Sequence, residues 1–284
     1  MAAAPPEASK NVASLAELRE VAIVREPDRY LAATLAPAGR RYDLVVLAAF
    51  AAEITRVPGQ VREPLAGEIR LQWWRDALIG GSADAAAGHP VAMAMRATIA
   101  RFELPGLAVE GVIDAQADIL HGERPVDEVA LRARMSAGEG GLFRLAARIC
   151  AAAADDDTNN DAPTADLAGL AYGLSRALSR APTDDTARLL IPHSLASDAD
   201  LAAGDDASAR ATLGRLALAA HADVAARMRQ MSRRQRLAFL PLVMVRPNLR
   251  ALQRETAKKG PRPGDALPIA RLLRIAWAHM SGRV

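Results

Sequence analysis

Two carboxylates four residues apart, Asp114 and Asp118, form the spacing in this chain most suited to chemistry. On a helix both project from one face, with His121 a turn beyond. Like charges so placed repel each other and destabilise the helix slightly unless a cation or a basic partner sits between them. The pair therefore reads either as ligands for a shared magnesium ion or, more commonly among exposed acids, as a solvated face with arginine neighbours. The five histidines, His89, His121, His193, His221 and His279, are scattered, and no serine stands in a Gly-x-Ser-x-Gly elbow, which disfavours a hydrolytic triad. No Walker loop, dinucleotide fingerprint or HExxH motif occurs. The run Gly138-Glu139-Gly140-Gly141 follows no strand-like segment and is no phosphate cradle. Each glycine in an otherwise helical run costs about 1 kcal/mol relative to alanine, so a close helix contact, a kink or a cleft wall is expected there.

The elements that must position these residues are helices. Apolar residues recur at three- and four-residue intervals along nearly the whole chain, and sustained strand-like alternation is missing. The pattern predicts helices over 14–25, 42–56, 64–80, 90–103, 107–121, 126–153, 164–181, 209–231, 236–256 and 267–281. Breaks are expected at Pro27, Pro37 to Gly39, Pro58 to Gly59, Gly80 to Gly81, Gly88 to Pro90, Pro105 to Gly106 and Lys258 to Gly264. Two longer polar interruptions, 155–163 and 182–207, read as surface connections or the rim of a site. No repeat of fixed period argues for a solenoid.

At 284 residues the chain suits one large helical domain over 12–284 behind a flexible tail at 1–11. Alanine supplies much of its 51% hydrophobic content and aromatics only 4%, so close packing around small side chains is expected. The single cysteine, Cys150, lies in an apolar run and reads as a core thiol, which suits a reducing, cytoplasmic setting. No apolar stretch is long enough to cross a membrane. The net charge is only +3, yet Arg227, Arg229, Arg233, Arg234 and Arg236 cluster. Such a stretch is either a solvated face or a contact for phosphates, anionic lipid or an acidic protein. Stacking aromatics do not interleave it, so nucleic acid is not expected. Membrane contact, if made, is expected to be peripheral, through basic helices with an apolar face.

Three stretches carry a family resemblance: Asp28-Arg29-Tyr30-Leu31-Ala32-Ala33, residues 47–56, and Glu63-Pro64-Leu65-Ala66-Gly67-Glu68-Ile69-Arg70-Leu71-Gln72-Trp73-Trp74-Arg75-Asp76. They resemble the opening helices of the squalene/phytoene synthase family. The resemblance continues through 136–145, 169–182, Leu190-Ile191-Pro192 and 237–250, so it spans roughly 25–255. It implies an all-α, isoprenoid-synthase-like helical bundle with a central cavity. In catalytic members, aspartate-rich motifs on facing helices hold magnesium ions against a prenyl diphosphate. Several carboxylates are needed, because they repel the diphosphate unless cations bridge the two.

At the place the resemblance gives the first motif, after Phe50, this chain reads Thr55-Arg56-Val57-Pro58-Gly59, with Glu53 the nearest acid one turn early. In the second, over 174–185, it offers Arg176, Ser179, Arg180 and Asp184. Arginines there repel magnesium but suit a phosphate. The resemblance therefore implies Tyr30, Arg176, Arg180 and Arg188 as ligand-binding residues, with neither a metal site nor a cofactor expected. The segment Arg176-Ala-Leu-Ser-Arg-Ala-Pro182, the Trp-Trp-Arg-Asp block and the Phe239-Leu-Pro-Leu242 turn look most like a divergent branch of the family. That branch includes an assembly factor of mitochondrial respiratory complex I. The chain departs from it at Thr183-Asp184-Asp185 and lacks the glycine usually preceding Arg188. The branch implies a non-catalytic protein that aids assembly of the NADH dehydrogenase at the inner membrane or binds a lipid-like, isoprenoid-like ligand. Contact surfaces for it are expected at 227–236 and at the outer side of Trp73 and Trp74. The alternative is an active magnesium-dependent prenyltransferase condensing isoprenyl diphosphates, with Asp114, Asp118 and Asp184 as its carboxylates.

Overall fold

The computed structural model describes residues 14–81, 84–151, 162–180, 185–255 and 268–282, and among them there is no strand. Helix α1 (Leu15–Arg25) starts at a capping box in which Ser14 and Glu17 satisfy each other's backbone donors. The break expected at Pro27 is present, at Glu26, and Pro27 then opens a second helix that the apolar pattern did not predict, α2 (Pro27–Thr34), where its missing N–H is no loss. Helix α3 (Ala38–Gln60) runs further than expected at both ends and carries Pro58 in its last turn. Then come α4 (Pro64–Leu78), α5 (Pro90–Phe102), α6 (Gly106–Asp114), α7 (Ala117–Leu120) and α8 (Glu128–Met135). A π-turn, Ser136–Gly140, joins α8 to α9 (Gly141–Cys150) without interrupting the rod. The remaining helices are α10 (Ala162–Arg180), α11 (Asp198–Ala203), α12 (Ala207–Met228), α13 (Arg233–Ala238), α14 (Val245–Glu255) and α15 (Pro268–Ser281). Short 3-10 turns lie at Asp185–Leu190 and Leu240–Met244.

Two helices form the centre. On α3 every residue from Asp43 to Ile54 is buried, most of them alanine, valine or leucine, and α1, α2, α4, α5 and α9 pack around it. Small side chains let these axes approach closely. The one acid near its start, Asp43, accepts hydrogen bonds at 3.0 Å from Thr98 Oγ1 and Arg101, so its burial is compensated. The second centre, α10, packs on α12, α14, α9 and the π-turn. A methyl at Gly169 would lie 2.3 Å from the backbone nitrogen of Gly140, so α10 crosses the π-turn at backbone contact. This close crossing offsets the cost of the glycine run.

Three sequence expectations need correction here. The helix expected over 107–121 breaks at Ala115 and Gln116, so Asp114 and Asp118 do not share one continuous helical face. The stretch 236–256 is α13, a 3-10 turn and α14, because Pro241 removes a backbone donor after α13. Trp73 and Trp74 do not form an outer contact patch. Trp74 is buried edge-on against Phe50 at 5.7 Å, and Trp73 is half-buried with His89 at 5.3 Å. Cys150 is buried as expected, and burial pushes its thiol up to about 12.

Candidate functional site

A cavity of about 500 Å³ opens where the ends of several helices meet, within the range of small-molecule sites. Its walls come from Val24 and Arg25 at the end of α1, Thr55, Pro58 and Gly59 at the end of α3, and Ala115, Gln116 and Ile119 at the α6–α7 break. Opposite lie Arg134, Met135, Gly138, Glu139 and Leu142 across the π-turn, with Gly173, Arg176, Ala177 and Arg180 on α10 and Ala187 and Leu190 beyond. Among the described residues the wall thus combines apolar and small residues with four arginines and a single carboxylate. A π-turn adds one residue to the helical repeat and re-phases the side chains around it, and such turns recur at functional sites. Here it carries Glu139 to the cavity wall.

Beneath this wall lies a buried ion cluster. Glu26, fully buried, pairs with Arg29 at 2.7 Å and with Arg176 at 2.7 Å. Glu139 pairs with the same two arginines, at 2.6 Å to Arg29 and 3.3 Å to Arg176. Two carboxylates and two guanidiniums therefore close a ring. Arg29 lies over the rings of Phe143 and Tyr172 at 5.2 and 4.9 Å, and Arg176 over Tyr172 at 5.2 Å. The Tyr172 hydroxyl donates to Asp28 at 3.0 Å, and Asp28 pairs with Arg271 of α15. Burial by itself would raise the Glu26 carboxyl, but the adjacent Arg176 and Arg29 outweigh it and hold the carboxyl below the usual range. Arg176 is held well above its ordinary value: desolvation opposes this, but Glu26, Tyr172 and Glu139 win. Arg180, one turn further along α10, is pulled below its ordinary value, above all by repulsion from Arg176.

Of the residues the sequence singled out, the structure brings Arg176 and Arg180 to the cavity. Arg176 donates to Glu26, Glu139 and the backbone carbonyl of Arg25, so most of its donors already have internal acceptors. Tyr30 is half-buried against the core and does not line the cavity, and neither does Arg188, whose turn contributes Ala187 and Leu190 instead. Asp114 lies outside, 56% exposed and 2.5 Å from Arg75. Asp118, 44% exposed, pairs with the cavity residue Arg134 at 2.7 Å. Each of these carboxylates thus has its own arginine, the basic partner that the spacing left open. Asp184 lies outside the described residues.

The first-motif positions Thr55, Pro58 and Gly59 do reach the cavity wall, and the nearby buried Glu53 faces Arg56 at 2.5 Å. Burial raises the Glu53 carboxyl despite Arg56 and Arg25. Among the described residues no group of three or more His, Cys, Asp or Glu side chains is placed to hold a metal ion. Sequence reasoning missed Arg25, Arg134 and the ring of Glu26, Arg29 and Glu139. The glycine run around Glu139 was the one local signal for the last.

The family model described as squalene/phytoene synthase matches residues 25–267. Among solved structures the chain is similar to a dehydrosqualene synthase in complex with ligand, at 11% identity and a TM-score of 0.70 over 94% of this chain and 95% of that one. It is also similar to the squalene synthase HpnC from Alicyclobacillus acidocaldarius, at 17% identity and a TM-score of 0.63 over 86% and 94%. No curated protein sequence matches. At these identities the structural matches establish the isoprenoid-synthase-like helical fold.

Proposed function

From its place in the squalene/phytoene synthase family, to which the chain belongs, we propose that it binds an isoprenoid-like amphiphile with an anionic head through arginines and does not ionise it. Members of the family are prenyltransferase-type enzymes, and their chemistry calls for magnesium to neutralise a departing diphosphate. The described residues do not fit that ion. Four arginines reach the cavity wall, its one carboxylate, Glu139, is held by two guanidiniums, and Thr55, Pro58 and Gly59 stand where acids would be needed. This excess of positive charge at the head of a partly apolar cavity is the observation that carries the reading. Arg134 is already tied to Asp118 and to the backbone carbonyls of Glu123 and Leu189. Arg25 and Arg180 would therefore meet the anion, while the Val24, Ile119, Leu142 and Leu190 side chains offer surface to a hydrocarbon tail.

The test is calorimetric titration of the full chain with farnesyl diphosphate, with magnesium or with a chelator, while assaying released diphosphate. Binding of equal strength under both conditions, without release, is expected. Arg180→Glu should weaken it roughly tenfold, as loss and reversal of one charge-assisted contact would. Magnesium-dependent binding with release would overturn the reading in favour of the prenyltransferase, and attention would pass to Asp114, Asp118 and Asp184. No binding at all would also overturn it.

At the level of partners, the reading includes a role in assembling the respiratory NADH dehydrogenase, complex I. The support is the likeness of Arg176-Ala-Leu-Ser-Arg-Ala-Pro182 and the Trp-Trp-Arg-Asp block to the assembly-type branch. Deleting the gene and measuring assembled complex I on native gels tests it, and unchanged assembly would rule it out.

A further inference from the structure

Helix α15 is attached to the molecule by one narrow side. Ile275 and Ala278 are buried, and Arg271 reaches in to pair with Asp28. The opposite side carries Ile269, Leu273, Trp277 and Met280, each 64–69% exposed. At 100° per residue these four fall within about 80° of one another, so they form one outward stripe. Nothing among the described residues covers it. Large exposed apolar patches of this kind mark contact sites.

The surroundings of the stripe are cationic. The crevice beside its C-terminal end is lined by Met228, Arg233, Arg236 and residues 278–282. Between Asp223 and Glu255 the chain carries eight arginines and no carboxylate, and residues 268–281 carry none either. Arg227, Arg229, Arg233, Arg234 and Arg274 are exposed and make no ion pair with a described residue. A second copy seated on this face through a two-fold axis would bring like charges together, which opposes that occupant. No described helix is long and apolar enough to cross a membrane. A helix with an apolar outer face, a tryptophan within it and arginines beside it suits the interface of an anionic bilayer. There the stripe enters the acyl boundary and the arginines lie at phosphate level.

We propose that α15, with Arg233 beside its C-terminal end and the exposed Arg234 next to it in the chain, seats the protein on anionic lipid surfaces, the helix lying in the plane of the bilayer. The proposal is independent of what the cavity binds, and α15 lies beyond the residues matched by the family model.

Co-sedimentation of the full chain with phosphatidylcholine vesicles, with and without phosphatidylglycerol, tests it. Binding is expected only with the anionic lipid and should fall with added salt. Leu273→Asp should lower partitioning roughly tenfold, and Arg233→Glu with Arg234→Glu should lower it by roughly fivefold or more per residue. All three side chains are exposed, so unchanged far-UV circular dichroism should accompany the loss. Trp277→Phe should still bind but lose most of the blue shift in fluorescence seen on anionic vesicles. Failure of the unaltered chain to bind anionic vesicles would overturn the proposal, as would Leu273→Asp binding as well as the unaltered chain. So would a dimer in the ultracentrifuge that Leu273→Asp dissociates without any vesicle binding, which would give the stripe to a second copy.

Discussion

Glu26 and Glu139 on one side of the cavity wall and Asp114 and Asp118 on the other use the same chemistry, a carboxylate against an arginine, in opposite surroundings. Glu26 is fully buried and Glu139 is part-buried, 18% exposed at the cavity wall, and together they share two arginines whose planes also cover aromatic rings. Asp114 and Asp118 are about half exposed, each with one arginine. Water already solvates the outer pairs, so losing a partner costs little. In the inner ring water is excluded from Glu26 and reaches the other members only at the cavity side, so losing one member strands the rest. The difference teaches that carboxylate spacing alone does not locate a site. Burial decides which acids matter to the fold and how much charge remains to face a ligand.

The sharpest way to break that comparison is Glu26→Gln, which leaves Arg29 and Arg176 buried with only Glu139 between them. A loss of about 3–5 kcal/mol in denaturant unfolding is expected, and a loss no larger than at Asp114 would dissolve the distinction. The same variant carries a pH signature. Because the Glu26 carboxyl is held below its ordinary value of 4.5, its stabilising contribution is complete above that value. It is lost as pH falls through the lower folded value, and the unaltered chain should therefore show an acid-induced loss that Glu26→Gln lacks.

Next in size is Gly169→Ala, whose added methyl meets the Gly140 backbone nitrogen at 2.3 Å where no side chain can yield. Destabilisation of about 1–3 kcal/mol is expected, together with weaker ligand binding, because α10 and the π-turn carry Arg176 and Glu139. His221 sharpens the comparison from another direction, being 1% exposed with no well-formed hydrogen bond on either ring nitrogen among the described residues and only a weak approach to the Leu242 backbone. Burial, then the Arg246 charge, holds its pKa below the ordinary 6.5, so stability should fall as pH drops through 6.5 and towards the folded value. His221→Leu should be about 1 kcal/mol more stable at neutral pH, with the gap widening on mild acidification in thermal scans. The smallest effects belong to Asp114→Asn and Asp118→Asn, each expected below about 1 kcal/mol by urea unfolding.

Much of this molecule can be read from residue order. The three- and four-residue recurrence of apolar side chains gave every long helix, because each helix must bury one side and that period survives any tertiary arrangement. Pro27 marked the boundary after α1, but the short helix it opens went unread, because α2 has only 8 residues, too few to display the helical period. The absence of acids at Thr55 to Gly59 and the arginines at 176 and 180 were also legible, since the resemblance aligns those places locally. The run Gly138 to Gly141 announced a close contact but not its partner.

What residue order determined by itself is the helical class, the family and the positive character of residues 227–254, all properties of local pattern and composition. Tertiary structure alone decided that Glu26 and Glu139, 113 positions apart in the chain, would share Arg29 and Arg176, and that Asp114 would turn outward. Ion pairs across such separations leave no period in the sequence. Their worth depends on the water excluded around them, and that is set only when the helices have packed.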